Sequence, residues 1–202
     1  MIKTKISKLF KIRNANDLIQ MPHVVTVNKF DDQAAKEFKI EIQKSEDTHQ
    51  PVIPVIINSY GGEIYALLNM VDTIASCSKP VATIVLGKAM SCGAVLLTCG
   101  AEGMRYMGPN STLMIHDCSS GTHGKVKDMA IDLAEAERLN KLIYKIMAKN
   151  CGKPEKYFYD IVKSKSHADW YMTPEEALSH NLTNHIKVPN FKVTCSVKIA
   201  LE

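Results

Sequence analysis

Residues 81–99 read VATIVLGKAMSCGAVLLTC, and this stretch decides the fold. Its first part, residues 81–86, is a continuous run of apolar and β-branched residues, which predicts a strand buried on both faces. Residues 87–90 predict a turn, and residues 91–99 predict a helix of small and apolar residues. A buried strand that leads directly into a helix is typical of α/β folds, in which right-handed crossovers connect parallel strands.

The same alternation continues on both sides of this stretch. Before it, the patterns predict strands at 23–27 and 52–57 and helices at 31–44 and 63–76. After it, they predict a strand pair at 104–107 and 112–116 with a turn at 108–110, helices at 125–150, 154–163 and 174–179, and β-like runs at 185–188 and 191–199. Pro54 predicts an irregular start to its strand, and Thr173 to Glu176 reads as a capping box. Reactive groups are then expected at the carboxyl ends of the strands.

Length and composition predict one globular domain, at residues 23–202, preceded by an N-terminal arm at residues 1–22. The chain has 202 residues, of which 46% are hydrophobic and 23% charged, and its formal net charge is +4. That charge is too small to argue for nucleic acid, and no stretch approaches the length of a membrane span. The arm has five basic residues among apolar ones and lacks the continuous apolar centre of a secretory signal.

The cysteine pattern predicts reduced thiols in a cytoplasmic protein rather than disulfides or a metal site. The six cysteines form no C-x-x-C pair, and the seven histidines show no ligand spacing. We therefore expect no metal and no cofactor. The cysteines are Cys77, Cys92, Cys99, Cys118, Cys151 and Cys195.

Three predicted strand ends carry residues that suggest chemistry. The first is A-M-S-C-G at 89–93, where Ser91 lies on a strand-to-helix turn as in the G-x-S-x-G nucleophile elbow. The alternative is that Ser91 only caps the following helix. The second is N-S-Y-G-G at 58–62, whose glycines leave backbone N–H groups free to bind an oxyanion. The third is M-I-H-D at 114–117, where His116 can reach a serine on a neighbouring strand end.

As a set, these three segments resemble the S-P-G-G, A-x-S-x-G and M-I-H-Q motifs of the Clp protease proteolytic subunit (ClpP) family. The resemblance runs from about residue 23 to 188 and implies an α/β, ClpP/crotonase-like fold of repeated β-β-α units with a protruding long handle helix, here 125–150. It implies a serine endopeptidase with Ser91 as nucleophile, His116 as base and Asp169 as the orienting acid. It also places the oxyanion hole at the backbone N–H groups of Gly62 and Cys92. Asp117 is the rival acid. Because neighbouring residues on a strand point to opposite faces, its side chain should face away from the His116 imidazole.

The resemblance also implies an assembly and partners. The family forms heptameric rings, in two stacked layers, that enclose a chamber for peptide or unfolded protein substrates and that work with an AAA+ unfoldase. The arm at 1–22 does not resemble the family's axial segment, so this sequence does not predict the unfoldase partnership by itself. Other departures are Tyr60 and Cys92, the pair Asp117-Cys118, and Asn184 in place of the aspartate of a G-L-x-D segment. None of these removes a catalytic group.

Other functions stay open at this point. A phage-type ClpP-like protease that processes capsid or scaffold proteins fits the atypical arm, and an inactive assembly subunit is the non-enzymatic alternative. A Ser/Lys peptidase on a related fold would need Lys141 or Lys145 as its base, and a crotonase-type acyl-CoA enzyme would use similar backbone N–H groups. If His116 is the base, activity falls as acid protonates its imidazole, because only the neutral ring accepts the serine proton.

Overall fold

The computed structural model describes residues 22–48, 50–119 and 125–190, of which His23–Pro189 form one compact unit. The predicted mixed α/β class with a mainly parallel sheet is confirmed. Most predicted elements are present, with their ends displaced by a few residues. The arm (except Pro22) and the predicted β-like run at 191–199 lie outside the described residues. In chain order the elements are β1 (Val25–Val27), α1 (Asp32–Asp47), β2 (Ile53–Ser59), α2 (Ile64–Ala75), β3 (Val81–Met90), α3 (Cys92–Thr98), β4 (Arg105–Met107), β5 (Thr112–Ile115), α4 (Val126–Asn150), α5 (Tyr157–Ser164), β6 (Trp170–Met172), α6 (Pro174–Ser179) and β7 (His185–Ile186).

These strands form one sheet with the order β1-β2-β3-β4-β7, and β5 pairs with both β3 and β6. Each pairing is parallel except that of β5 with β6. Pro54 lies where β2 pairs with β3 only, before the pairing with β1 starts at Val55, which suits a residue that has no N–H. The parallel strands β2, β3 and β5 end at the same edge of the sheet, so the three predicted motifs meet there.

Strand β3 is longer than the sequence predicts. Residues 87–90 continue the strand rather than forming a turn, so that prediction was wrong. Gly87 has a φ of 83°, and at this point β3 changes partner: residues 83–85 pair with β4 and residues 88–90 pair with β5. Glycine adopts positive φ at little cost, so it bends this strand between two partners instead of ending it.

The predicted pairing of residues 104–107 with 112–116 was also wrong. These segments form β4 and β5, which each pair in parallel with β3 and not with each other. The loop between them stays against β3, because the Gly108 N–H donates to the Val85 carbonyl at 2.9 Å. The chain therefore moves from one pairing position on β3 to the next, which a turn signal alone does not distinguish from a hairpin.

Local signals locate several helix ends correctly. The predicted capping box is present: the Thr173 hydroxyl accepts from the Glu176 N–H, and the Glu176 carboxylate accepts from the Thr173 N–H. Pro174 occupies the first helical position. Asp31 caps α1 by accepting from the Ala34 N–H at 2.7 Å. Such caps satisfy N–H groups that have no partner inside the helix.

Helix α4 is the longest described element, and its two halves differ. Its buried side chains lie in the C-terminal half, from Leu139 onward, where the helix packs against α3 and α5. Residues 126–134 are all exposed in the single chain. Four of them are large and apolar: Val126, Met129, Ile131 and Leu133. The protruding handle itself stays a prediction, but this exposed apolar surface is the kind that another chain covers.

Candidate active site

Ser91 lies at a sharp turn between β3 and α3. Its backbone has φ 54° and ψ −118°, which is an unusual conformation for a residue with a side chain. Its N–H donates to the Met114 carbonyl at 2.8 Å, and its own carbonyl accepts from the Ala94 N–H at 2.9 Å. The Ser91 side chain makes no capping hydrogen bond to α3. The alternative that Ser91 serves as a helix cap therefore finds no support, and its backbone geometry is that of a nucleophile elbow.

The glycine pair after β2 packs directly against this elbow. Gly61 has φ 104° and Gly62 has φ 150°, both in the region that favours glycine. A Cβ on Gly61 would lie 2.7 Å from the Ser91 Cβ and 3.2 Å from its Oγ. A Cβ on Gly62 would lie 2.3 Å from the Phe30 carbonyl oxygen. Only glycine fits at either position, and the close approach brings backbone N–H groups to the serine.

Two of these N–H groups have no acceptor among the described residues. They belong to Gly62 and to Cys92, the residue after Ser91 and the first of α3. The first N–H groups of a helix have no partner within it, so Cys92 has a donor available. Two free donors beside a serine hydroxyl can bind an oxygen on which negative charge develops.

The Cys92 thiol holds the glycine turn in place, which the sequence did not reveal. Its Sγ donates to the Gly62 carbonyl at 3.2 Å, while the Glu63 N–H of the same peptide group donates to the Phe30 carbonyl at 2.8 Å. Both ends of that peptide are therefore fixed. Burial raises the pKa of Cys92, so the sulfur stays protonated and keeps its proton to donate. The only sequence signal was a cysteine directly after the serine.

His116 and Asp169 come together through the pairing of β5 with β6. In this antiparallel pair Ile115 lies opposite Trp170, so the residues just beyond them face each other. His116 Nδ1 lies 3.6 Å from Asp169 Oδ1, which is longer than a hydrogen bond of about 2.7–3.2 Å. The Asp169 side chain is 51% exposed and that of His116 is 25% exposed. The two groups are adjacent but loosely held.

The rival acid, Asp117, is occupied by other partners. Its Oδ1 accepts from the Tyr144 hydroxyl at 2.8 Å, and its Oδ2 lies 2.5 Å from His167 Nδ1. Burial, and next the bond to Asp117, raise the pKa of Tyr144, so this phenol remains a donor. Nothing in the sequence points to His167, because 50 residues separate it from Asp117.

One cleft of about 740 Å³ joins these parts. Ser91, His116, Gly62 and Cys92 line one part of it, and Asp169 lies behind His116, outside the lining. The remaining lining residues are mainly apolar, including Leu67, Val95, Leu139, Ile143 and Met147. Neither Lys141 nor Lys145 is among the described residues that line the cleft, and Lys145 pairs with Glu155 at 3.2 Å. A lysine base for Ser91 therefore has no support.

The described ranges contain no group of three or more His, Cys, Asp or Glu residues that could hold a metal ion. Nor does any helix in them have the length and apolar character needed to cross a membrane.

Comparison with known proteins relates the chain to Clp proteases. The Clp protease family model matches residues 7–189, which is most of the chain. The ATP-dependent Clp protease proteolytic subunit of Deinococcus radiodurans is 38% identical over 135 residues. That match covers 66% of this chain and 64% of the relative, so it spans slightly less than two thirds of the relative's length. By its sequence match and its α/β fold, the chain belongs to the Clp protease family.

Proposed function

We propose that this protein is a serine endopeptidase, the proteolytic subunit of a Clp-type protease, with Ser91, His116 and Asp169 as its catalytic residues. The observation that carries the proposal is the setting of Ser91. Its strained backbone turns the residue into a cleft, its hydroxyl makes no cap bond, and the free N–H groups of Gly62 and Cys92 flank it. Membership of the Clp protease family supports the same reaction.

In this mechanism the Ser91 Oγ attacks the carbonyl carbon of a peptide bond. The neutral His116 imidazole accepts the hydroxyl proton and later gives it to the leaving amine. Asp169 accepts from His116 Nδ1–H, which fixes the ring tautomer and stabilises the imidazolium. The separation of 3.6 Å must shorten for this bond, as often happens when a substrate completes a site.

The backbone N–H groups of Gly62 and Cys92 bind the oxyanion of the tetrahedral intermediate. One such donor contributes about 3 kcal/mol to lowering the barrier, which is a rate factor of a hundred or more. The donors belong to rigid backbone, because Gly61 and Gly62 pack against Ser91 and Phe30. The geometry is therefore set before the charge develops, and no cofactor is needed for these steps.

The substrate is a peptide or an unfolded protein chain. The apolar part of the cleft, formed by α2, α3 and α4, suits an apolar side chain next to the bond that is cleaved. An extended peptide beside Ser91 is within reach of both N–H donors.

We further propose that the subunits assemble into a ring with the active sites facing an internal chamber. The exposed apolar residues of α4 support this, with Val126 83%, Ile131 68% and Leu133 60% exposed in the single chain. Heptameric rings in two layers and an AAA+ unfoldase as partner follow from the family resemblance. Assembly would bring α4 of one subunit against a neighbour and exclude bulk protein from the sites.

The test is labelling with a fluorophosphonate, a reagent that phosphonylates activated serines, followed by peptide mapping. The variants are S91A and, as a matched control, S119A, since Ser119 lines the same cleft. We expect the label on Ser91 in the wild type and in S119A, and none in S91A. Light scattering on the same samples reports assembly. An assembled ring that takes no label would contradict the enzyme and favour a role in assembly alone.

A further inference from the structure

The loop that carries Asp169 has an unfavourable backbone conformation. Ser166 and His167 both have a φ of 59°, and neither is a glycine. Residues with side chains occupy this region only where surrounding contacts hold them there. Two such residues in succession, the second of them two positions before a proposed catalytic acid, require contacts that stabilise the loop.

Backbone bonds from the His167 N–H to the Val162 carbonyl, at 3.0 Å, and from the Ala168 N–H to the Lys165 carbonyl, at 3.2 Å, tie this loop to the end of α5. The side-chain contact that ties it to the segment after β5 is the pairing of His167 with Asp117. Their Nδ1 and Oδ2 atoms are 2.5 Å apart, and because a carboxylate only accepts, the proton lies at Nδ1. The other carboxylate oxygen of Asp117 accepts from the hydroxyl of Tyr144, at 2.8 Å. Tyr144 lies on α4 and is 1% exposed, so Asp117 is anchored to the core. His167 is thereby tied to a fixed point.

The pairing joins the same two segments that hold the proposed base and acid. Asp117 directly follows His116, and His167 precedes Asp169 by two positions. The β5–β6 pairing holds the two segments together only as far as Ile115 and Trp170. Beyond it, the 3.6 Å between His116 and Asp169 is too long for a hydrogen bond, and the Asp169 side chain is half exposed. The Asp117–His167 contact is short, and Asp117 has a second partner in Tyr144. The Asp117 side chain is 24% exposed, compared with 51% for Asp169.

We propose that Asp117 and His167 form a clip that positions Asp169 against His116. This rests on the proposed function, since it concerns the geometry of that same site. Neither member of the clip touches the reacting atoms, so both are positioning residues. Without the clip, the loop at 166–169 leaves its conformation, and the acid moves away from the imidazole.

The experiment measures the rate of fluorophosphonate labelling at Ser91 in the full chain, together with hydrolysis of a short fluorogenic peptide. We expect H167A to lower the labelling rate by about 10- to 100-fold, since a displacement of about 1 Å at a catalytic group has an effect of this size. H167N should recover most of the rate. Its amide can donate near the place of Nδ1, and asparagine tolerates positive φ. S166A, with the same φ at an exposed position, is the matched control and should keep the wild-type rate.

A double-mutant cycle separates positioning from general stability. In a D169A background, H167A should change the rate by less than about threefold, because a residue that acts only through Asp169 has nothing left to position. If H167A proves unstable by thermal unfolding or light scattering, H167Q takes its place. Glutamine keeps a polar side chain, but its amide lies farther from the backbone than Nδ1 of His167, so it should not restore the contact with Asp117.

Three results would overturn the clip. They are a wild-type labelling rate in H167A, an equal loss of rate from H167A with and without Asp169, and a folded H167N that is labelled as slowly as H167A. A wild-type protein that takes no label at Ser91 would instead overturn the proposed function, and the inference with it.

Discussion

Arg105 is the one charged side chain fully buried within the described residues, at 2% exposure. Its guanidinium donates to the Asn184 side chain at 3.2 Å and to the carbonyls of Asn150 and Thr98. Each of these acceptors is neutral. A buried cation that is bonded only by neutral dipoles is less stable than one paired with a carboxylate in good geometry.

We therefore expect N184D to stabilise the protein. The new carboxylate can accept from the backbone N–H of Arg105 and from its Nε–H, as the amide oxygen of Asn184 does now. Unlike the amide, it carries a charge opposite to that of the guanidinium. The gain in the free energy of unfolding at pH 7 should be about 1 kcal/mol or more. Urea unfolding measures it, with N28D at an exposed loop position as control. An unchanged midpoint in N184D would show that the neutral acceptors already satisfy the arginine.

The Cys92 thiol gives a second prediction at this scale. C92A removes the donor that holds the Gly62 carbonyl, so the glycine turn loosens beside Ser91. One neutral hydrogen bond is worth about 1 kcal/mol, which corresponds to about a fivefold slower labelling of Ser91. C92S keeps a donor and should stay near the wild-type rate. Equal loss in C92A and C92S would mean that sulfur packing, not donation, matters.

Between elements, the end of α1 is held to the start of β3 by a reciprocal set of bonds. The Glu46 carboxylate accepts from the Ser78 N–H at 2.8 Å and from its hydroxyl. In return, the Lys79 ammonium donates to the carbonyls of Ser45, Glu46 and Thr48, which lie at the C-terminal end of the helix. A cation at that end satisfies carbonyls that have no partner within the helix.

The pKa of Glu46 is lowered, chiefly by the Ser78 hydroxyl, and this predicts a pH-dependent contribution to stability. A carboxyl whose pKa is lower in the folded state stabilises the fold above its usual value of 4.5, and this contribution is lost as pH falls through the lower folded value. E46Q should therefore unfold more easily at pH 7, by about 1 kcal/mol because the site is partly exposed. Unfolding in urea at several pH values measures the difference.

The difference between E46Q and the wild type should shrink as the pH drops below 4.5. E37Q, which changes an exposed carboxylate on the same helix, serves as the control and should show little difference at either pH. A difference in the free energy of unfolding between E46Q and the wild type that stays constant over the whole pH range would contradict the role of the charge.

In the molecule as a whole, the apolar surface at the start of α4 remains exposed to solvent when the chain is alone. Burial of a leucine side chain contributes about 1.5–3 kcal/mol, and a ring repeats each contact in every subunit. L133E should therefore shift assembly to at least tenfold higher protein concentration, as measured by light scattering. Its helix content should not change, because Leu133 is 60% exposed in the single chain. K127E, which changes an exposed residue on the same helix, is the control and should assemble normally. Normal assembly of L133E would show that this surface is not part of the interface.

Much of the fold could be predicted from local patterns. The alternation of strands and helices, the capping box at Thr173 and the small-residue helix after Ser91 each depend on residues close in sequence. The bend at Gly87 and the separate pairing of β4 and β5 could not be predicted, since a glycine or a turn signal does not say which strand lies alongside. Apolar residues recur along the whole of α4, so their pattern did not reveal that the first half of the helix is exposed.

The sequence by itself determined the α/β class, the family and the residue types at the strand ends, because these depend on short-range periodicity and on motifs. Only the tertiary structure decided how those residues meet. It placed His116 opposite Asp169 across the β5–β6 pair, packed Gly61 against Ser91, and joined Asp117 to His167. The physical reason is that these contacts link residues far apart in the chain, and they form only when strand pairing and core packing bring the sheet edge together.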